Sequence, residues 1–367
     1  MGQENKKLGV FFDGTWNRAD QVSRSGEPSP TNVTKLFEAT LPHDGQGRPQ
    51  IVHYVQGVGT RRSERLRGGG FGLGISDNIK EGYRFLVSNY EPGDDIYIFG
   101  FSRGAFSARS LAGMIRNVGL LKREKVYLIN EAYDRYRDRA ESWRPDGNEA
   151  KAFRASHTWT DETIRFLGVF DTVGALGAPF GILLSWIVDK LFRCRFHDLQ
   201  LSSIVQSAYH ALAVDERRLP FRPTLMQPNK NHHPGNFEQR WFPGVHSNVG
   251  GGYPKTGLAD TALEWMVGKV AQHGLEVDLQ RVSHPGFKPD ITQAPDNSQS
   301  LGCRIATVLS VKLPGCIGVV PANYRGVFGN LRWNGDYIRP IDRESLHECV
   351  ARKIQMSGGH YRPPNVK

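Results

Sequence analysis

The chain contains no apolar window near the roughly 18 residues that a bilayer-spanning helix requires, so no helical membrane span is expected. Cysteine is scarce: Cys194, Cys303, Cys316 and Cys349 are the 4 in 367 residues, and no two form a C-x-x-C pair. This excludes a disulfide framework and a thiolate zinc site, because isolated thiols of this kind behave as small buried hydrophobes. No H-E-x-x-H motif and no acidic calcium loop occurs, so no metal is expected. None of the glycine clusters has the spacing of a dinucleotide or phosphate loop, so no cofactor is expected either. The opening residues "MGQENKKLGVFFDG" lack the apolar core of a secretory signal, and Lys6 stands where a myristoylation signal needs serine or threonine. Synthesis as a cytoplasmic protein is the expectation. Internal repeats and low-complexity linkers are also missing.

What is present is an ordinary globular balance, with 39% hydrophobic and 23% charged residues, enough to bury a sizeable core. The net charge is +10 and the isoelectric point about 9.5. An excess of this size favours anionic partners. The basic runs "RRSERLR" (61–67) and "KREK" (122–125) are interrupted by acids. No nucleic-acid-binding motif accompanies them, so no nucleic acid is expected; a solvated basic surface is the default reading, and peripheral contact with an anionic membrane is the alternative.

Apolar runs at Leu8–Phe12, 51–60, 96–101 and 163–171 read as buried strands ending in turns, and "FEQRWFPGV" (237–245) as another. "GGGFGLG" (68–74) reads as a flexible loop. Residues 75–90 carry a helical stripe, with Ser76 or Asp77 as cap. The apolar and small residues at 105, 108, 111, 112 and 115 recur at helical spacing. Further helices are expected over "LSSIVQSAYHALAVDERR" (201–218), over 260–274 with Gly274 near its end, and from Glu344 to about Ile354. "RIATVLSVKL" (304–313) reads as a strand. Strands alternating with helices predict an α/β fold, a mostly parallel sheet with helices on both faces. The expected organisation is one domain over residues 1–367. Residues 121–160 form a charged helical insertion, and 177–200 form a lid or cap candidate containing the apolar stretch 179–192.

The sequence "YIFGFSRGAF" (97–106) sets one serine in a G-x-S-x-G pattern between a predicted strand and a predicted helix. That context is the one in which the pattern forms a nucleophile elbow, a strained turn that lifts the hydroxyl above the sheet. Gly100 and Gly104 would let strand and helix pass closely, Ser102 would attack, and the Arg103 backbone N–H would be one oxyanion donor. Serine needs a base. Of the 12 histidines, His246 follows a strand and precedes three glycines, whereas the pair His232–His233 sits in a polar loop. The third member should be an acid at a strand's carboxyl end, where open α/β sheets bind ligands. Asp171 in "GVFDTVGALG" fits. Its rivals are Asp215, which could pair with Arg217 or Arg218, and Asp260, which reads better as a helix N-cap. A second oxyanion donor should come from "FFDGTWN", from the backbone N–H groups of Gly14 and Thr15 up to Trp16. Asp13 and Thr15 equally well do no more than fix a turn there.

Taken together, "FFDGTWN", "GVGT", "GDDIYIFGFSRGAFSAR", "GVFDTVGALG", "HALAVDERR", "QRWFPGVHSNVGGGY" and the terminal "HECVARK…YRPPN" resemble the DUF2235 family of α/β hydrolases. That family includes the Tle1-type phospholipase effectors of the bacterial type VI secretion system. The resemblance implies a Ser–Asp–His triad carried onto Ser102, Asp171 and His246, an α/β-hydrolase-like fold with helical insertions forming a cap, and esterase chemistry on lipid-like esters of phospholipase A type. The partners it implies are a lipid or other acyl-ester substrate and an immunity or secretion protein, with export by type VI secretion. One departure is visible: Asn248 stands where many members carry aspartate, and a secondary role in orienting the histidine is expected there. The alternatives are an esterase, thioesterase or depolymerase acting on another acyl substrate, and a non-catalytic interaction protein on the same scaffold.

Overall fold

The protein is described from a computed structural model, in which residues 5–60, 70–160, 162–174, 200–218, 221–230, 232–233, 235–298 and 338–366 are placed. The expected lid at 179–192, the remaining cap residues 177–199, the run 61–67, the strand-like run 304–313 and the thiols Cys194, Cys303 and Cys316 lie outside these described residues. Cys349 is buried and unpaired.

Among the described residues six strands form one sheet: β1 (Lys7–Phe12), β2 (Gln50–Val55), β3 (Asp95–Phe101), β4 (Ile164–Phe170), β5 (Ala208–Ala213) and β6 (Phe237–Phe242). Their order is β2-β1-β3-β4-β5-β6 and every pairing is parallel. Parallel strands need crossovers that return over a face, so helices cover both sides. α1 (Asn32–Ala39) and α7 (Gly257–Gln272) lie on one face. α2 (Gly70–Asn89) and α3 (Arg103–Val118) lie on the other, with α4 (Ile129–Arg137) and α5 (Asn148–His157) packed outside them. α6 (His246–Gly250) is a single turn after β6, and α8 (Glu348–Met356) is the last helix described. The observed sheet is the predicted α/β architecture.

Alternation along the strands builds a core on each side. Val10, Phe12, Ile96, Ile98, Leu167 and Val169 point toward α2 and α3. Phe11, Tyr97, Phe99, Phe101, Phe166 and Tyr209 point toward α1 and α7. On that second face the rings form a row across four strands: Phe11–Phe99 at 4.8 Å, Phe99–Phe166 at 5.5 Å and Phe166–Tyr209 at 5.2 Å between centroids. α1 and α7 are joined by a fully buried ion pair, Lys35 Nζ to Asp260 Oδ1 at 2.6 Å.

Several expectations are corrected. Residues 208–213 form β5, not a helix: "AYHALA" is buried throughout, and a short strand covered on both faces has no alternation to separate it from a helix. Gly70 to Gly74 belong to α2 rather than to a loop, which puts Ser76 and Asp77 inside the helix. A Cβ on Gly74 would stand 3.0 Å from Val58 Cγ1, so close packing outweighs the roughly 1 kcal/mol that a helical glycine costs. Asp260 is not an N-cap. Thr256 holds that position and donates its hydroxyl to Asp260 Oδ2 at 2.7 Å, while Asp260 serves Lys35. The last helix begins at Glu348, not Glu344.

The strand order reverses between β1 and β3, and ligands of open α/β sheets gather at the carboxyl ends beside such a switch. Two glycines allow that corner to close. A Cβ on Gly100 would lie 2.6 Å from the Ala105 Cα, and one on Gly104 would lie 2.2 Å from the Phe12 carbonyl oxygen. Gly104→Ala must therefore push α3 away from β1. The expected loss is about 1–3 kcal/mol, the range typical of overpacking, read as a lower urea midpoint. An unchanged midpoint would mean that α3 has room to spare at this corner.

Candidate active site

Ser102 lies between β3 and α3 with φ 59° and ψ −121°. A left-handed backbone at a non-glycine residue is held only where its surroundings impose it, at about 1–3 kcal/mol. Here the Ser102 N–H donates to the Phe170 carbonyl at 3.0 Å. Asp171, directly after β4, also has positive φ, 38°. His246 opens α6 after β6, and its backbone N–H donates to Glu216 Oε2 at 3.2 Å. Three strand ends thus deliver three side chains to one place.

The side chains form a line. His246 Nε2 stands 2.8 Å from Ser102 Oγ, and His246 Nδ1 stands 2.6 Å from Asp171 Oδ2. All three residues are buried. Two rings hold the imidazole: Phe101 at 4.6 Å between centroids and Phe221 at 4.9 Å, the latter edge-on. Burial alone would raise the Asp171 pKa, but the Arg339 guanidinium and the His246 hydrogen bond outweigh it and hold the carboxyl well below its usual range. Burial pushes His246 below the ordinary histidine value, against the pull of Asp171. Burial thus favours the neutral form of the imidazole that bridges the hydroxyl and the carboxylate. Such an arrangement can take the serine proton on Nε2 while Asp171 fixes the tautomer.

The β1 loop sits against the serine, since a Cβ on Gly14 would lie 3.2 Å from Ser102 Cβ. Its shape is set by buried Asp13, which accepts from the Gly14 amide at 2.6 Å, from Tyr54 at 2.5 Å, from Thr31 at 2.8 Å and from Thr34 at 3.1 Å. The Gly14 N–H expected as an oxyanion donor is thus engaged by its neighbour's carboxylate. The Trp16 N–H goes to the Val58 carbonyl at 3.0 Å. Arg103 Nε donates to Thr15 Oγ1, tying this loop to the residue after the serine.

The rival acid Asp215 has another task. It accepts from the Gly244 amide at 2.6 Å and from the Tyr361 hydroxyl at 2.8 Å, which fixes the turn before His246. Arg218 pairs with Glu216, at 2.8 Å, whereas the charge of Arg217 does act on Asp215. His232 lies away from the site, on the Val205 carbonyl at 2.8 Å. Asn248 Oδ1 accepts from the Val245 and Asp296 amides, and its Nδ2 donates to the Asp296 carboxylate at 2.7 Å. An asparagine suits this position because an aspartate would face a second carboxylate. Arg339 lies in no motif of the sequence, and Glu216 stands within "HALAVDERR" without a role of its own expected there.

The fold and the site define an α/β protein with an aligned serine, histidine and buried carboxylate at the carboxyl edge of a parallel sheet. The chain belongs to the family of type VI secretion system Tle1-like phospholipase effectors, whose catalytic-domain model matches residues 6–269. The uncharacterised protein YEL023C of Saccharomyces cerevisiae is 33% identical over 249 residues, 61% of this chain and 33% of that protein. The chain therefore spans about a third of that relative's length. An uncharacterised protein from Pseudomonas aeruginosa of known crystal structure aligns with 99% of this chain and 64% of its own, at 19% identity and a TM-score of 0.45. The Tle1 effector, solved bound to the VgrG spike of the type 6 secretion system, aligns over 68% of this chain and 51% of its own, at 22% identity and a TM-score of 0.36.

Behind the site, His210 on β5 accepts the Thr172 amide at 3.0 Å through Nε2, next to Asp171. Burial, with Arg109 nearby, pushes His210 down to about 3. The unfolded chain takes up this proton near the ordinary histidine value of about 6.5. The folded state therefore holds its stability above that pH and loses it toward pH 3, at about 1.4 kcal/mol per pH unit. His210→Gln keeps an acceptor for Thr172 and removes the titration. Urea unfolding of the variant in this window should show a pH slope shallower by about 1.4 kcal/mol per unit, whereas an equal slope would assign the proton uptake to other groups.

Proposed function

We propose that the chain is a serine ester hydrolase that cleaves acyl esters of phospholipids in the manner of a phospholipase A. The observation that carries this reading is the line from Ser102 Oγ through His246 to Asp171, with contacts of 2.8 and 2.6 Å, in a chain of the Tle1-like family. Ser102 Oγ attacks the ester carbonyl as its proton passes to His246 Nε2. The carbonyl oxygen takes the negative charge, met by the backbone N–H groups of Arg103 and Thr15 and by the amino end of α3. Collapse of the tetrahedral intermediate expels the lysolipid alkoxide, which takes the proton from Nε2. Water then gives a proton to Nε2 and attacks the acyl-enzyme, releasing the fatty acid and restoring Ser102. Asp171 remains ionised throughout and stabilises the transient imidazolium.

The net charge of +10 supports a target surface that is anionic, an attraction that salt would weaken. Among the described residues no helix is long and apolar enough to cross a membrane, so the proposed approach to lipid is from the side of the water. Export by type VI secretion, with an immunity or secretion protein as partner, completes the reading that the family supports.

Ser102→Ala should lose labelling by a fluorophosphonate probe and lower the turnover of a phospholipid acyl ester by roughly 10⁴-fold or more. Lipid product analysis would show lysolipid and fatty acid in equal amounts from the unsubstituted protein. Undiminished hydrolysis by the variant would sink the proposal.

A further inference from the structure

Asp171 is held by more than its histidine. Arg339 Nη1 donates to Asp171 Oδ1 at 2.6 Å and Nη2 to Oδ2 at 3.0 Å. The same two nitrogens also reach the Ala213 carbonyl at 2.8 Å and the Phe221 carbonyl at 2.6 Å. Both members of the ion pair are fully buried. Arg339 lies beyond the residues 6–269 that the family model matches, in a C-terminal segment fastened to the site's own loops. The Tyr361 hydroxyl reaches Asp215, and Asn365 Nδ2 reaches the carbonyls of Val214 and Arg339 itself.

One oxygen of Asp171 thus meets two partners at once. Oδ2 accepts from Arg339 and faces His246 Nδ1 at 2.6 Å. The groups around the imidazole are neutral Ser102 from the β3 turn, Asp171 after β4, Glu216 and Arg218 after β5, and Arg339 from the C-terminal segment. The two carboxylates are each met by a guanidinium. A carboxylate already paired with a guanidinium stabilises an imidazolium less than a free one does.

We propose that Arg339 is a positioning residue for the hydrolytic reaction: its fork locks the Asp171 carboxylate against His246, and its charge limits the basicity of that imidazole. The proposal rests on the serine-hydrolase reading above. His246 must be neutral to accept the Ser102 proton, so hydrolysis falls off on the acid side as the imidazole protonates. Removing the cation leaves Asp171 free to hold the imidazolium more firmly, and that acidic limb moves to higher pH. A residue that merely braced the fold would lower the rate without moving the limb.

The test uses the full chain, with Arg339→Gln and Arg339→Lys beside the unsubstituted protein. Two readouts are taken: kcat/KM for a soluble acyl ester against pH, and the His246 imidazole titration by NMR. The unsubstituted protein should show an acidic limb below the ordinary histidine value of about 6.5. In Arg339→Gln the limb and the imidazole pKa should both rise by about one unit, a tenfold gain in proton affinity, and the plateau rate should fall about 100-fold, the scale of a lost positioning contact. Arg339→Lys keeps the charge but not the fork, so it should lose plateau rate and leave the limb in place. A fall in rate with no movement of limb or imidazole in Arg339→Gln overturns the proposal. So does an acidic limb above about pH 7 in the unsubstituted protein, a measurement that stands even where a variant does not fold. If the imidazole shifts as expected but no Ser102-dependent hydrolysis is found, the hydrolase reading falls and the coupling of Arg339 to His246 is upheld.

Discussion

A buried carboxylate has to be met by donors on every side, and at Asp171 that demand organises the molecule. Its oxygens accept from the Ala213 amide at 3.0 Å, from both ends of the Arg339 fork and from His246. Each donor comes from a different stretch of chain: the end of β5, the C-terminal segment, and the turn after β6. Satisfying one charge therefore fixes where three loops stand. Removing Arg339 alone would leave the rest facing an uncompensated buried ion, which is far more costly than removing an exposed pair.

The parallel sheet makes this convergence possible. Strands running the same way present all their carboxyl ends on one edge, so Ser102, Asp171 and His246 meet although they lie far apart along the chain. The second constraint is steric. Gly100 and Gly104 bring α3 so close to β1 that its first turn lies over the Phe12 and Asp13 carbonyls. This proximity sets the amino end of α3 and the Asp13 loop on either side of the serine.

The three central residues were legible because each sits at a local signal: a serine between spaced glycines, an acid ending an apolar run, a histidine entering a glycine-rich turn. Arg339 was not, since it lies 168 residues from Asp171 and an arginine among "YIRPID" carries no period or motif. β5 was misread because burial on both faces erases the alternation that distinguishes strands. Asp260 was misread because its partner Lys35 lies 225 residues away, whereas a cap is judged from neighbours alone. Asp215 was a fair rival for the acid. It too ends a strand and approaches the histidine turn, but through the Gly244 backbone instead of the imidazole. Local chemistry was readable, and long-range charge pairing was not.

The rings of Phe101 and Phe221 lie 4.6 and 4.9 Å from that of His246, and Nδ1 is tethered to Asp171. An imidazole clamped in this way cannot turn over to exchange its two nitrogens. Under the proposed chemistry the proton then has a single port: it enters at Nε2 from the serine and leaves by the same atom to the departing alcohol. Under that same chemistry the aromatic pair would work as a valve that keeps each proton on the reaction path.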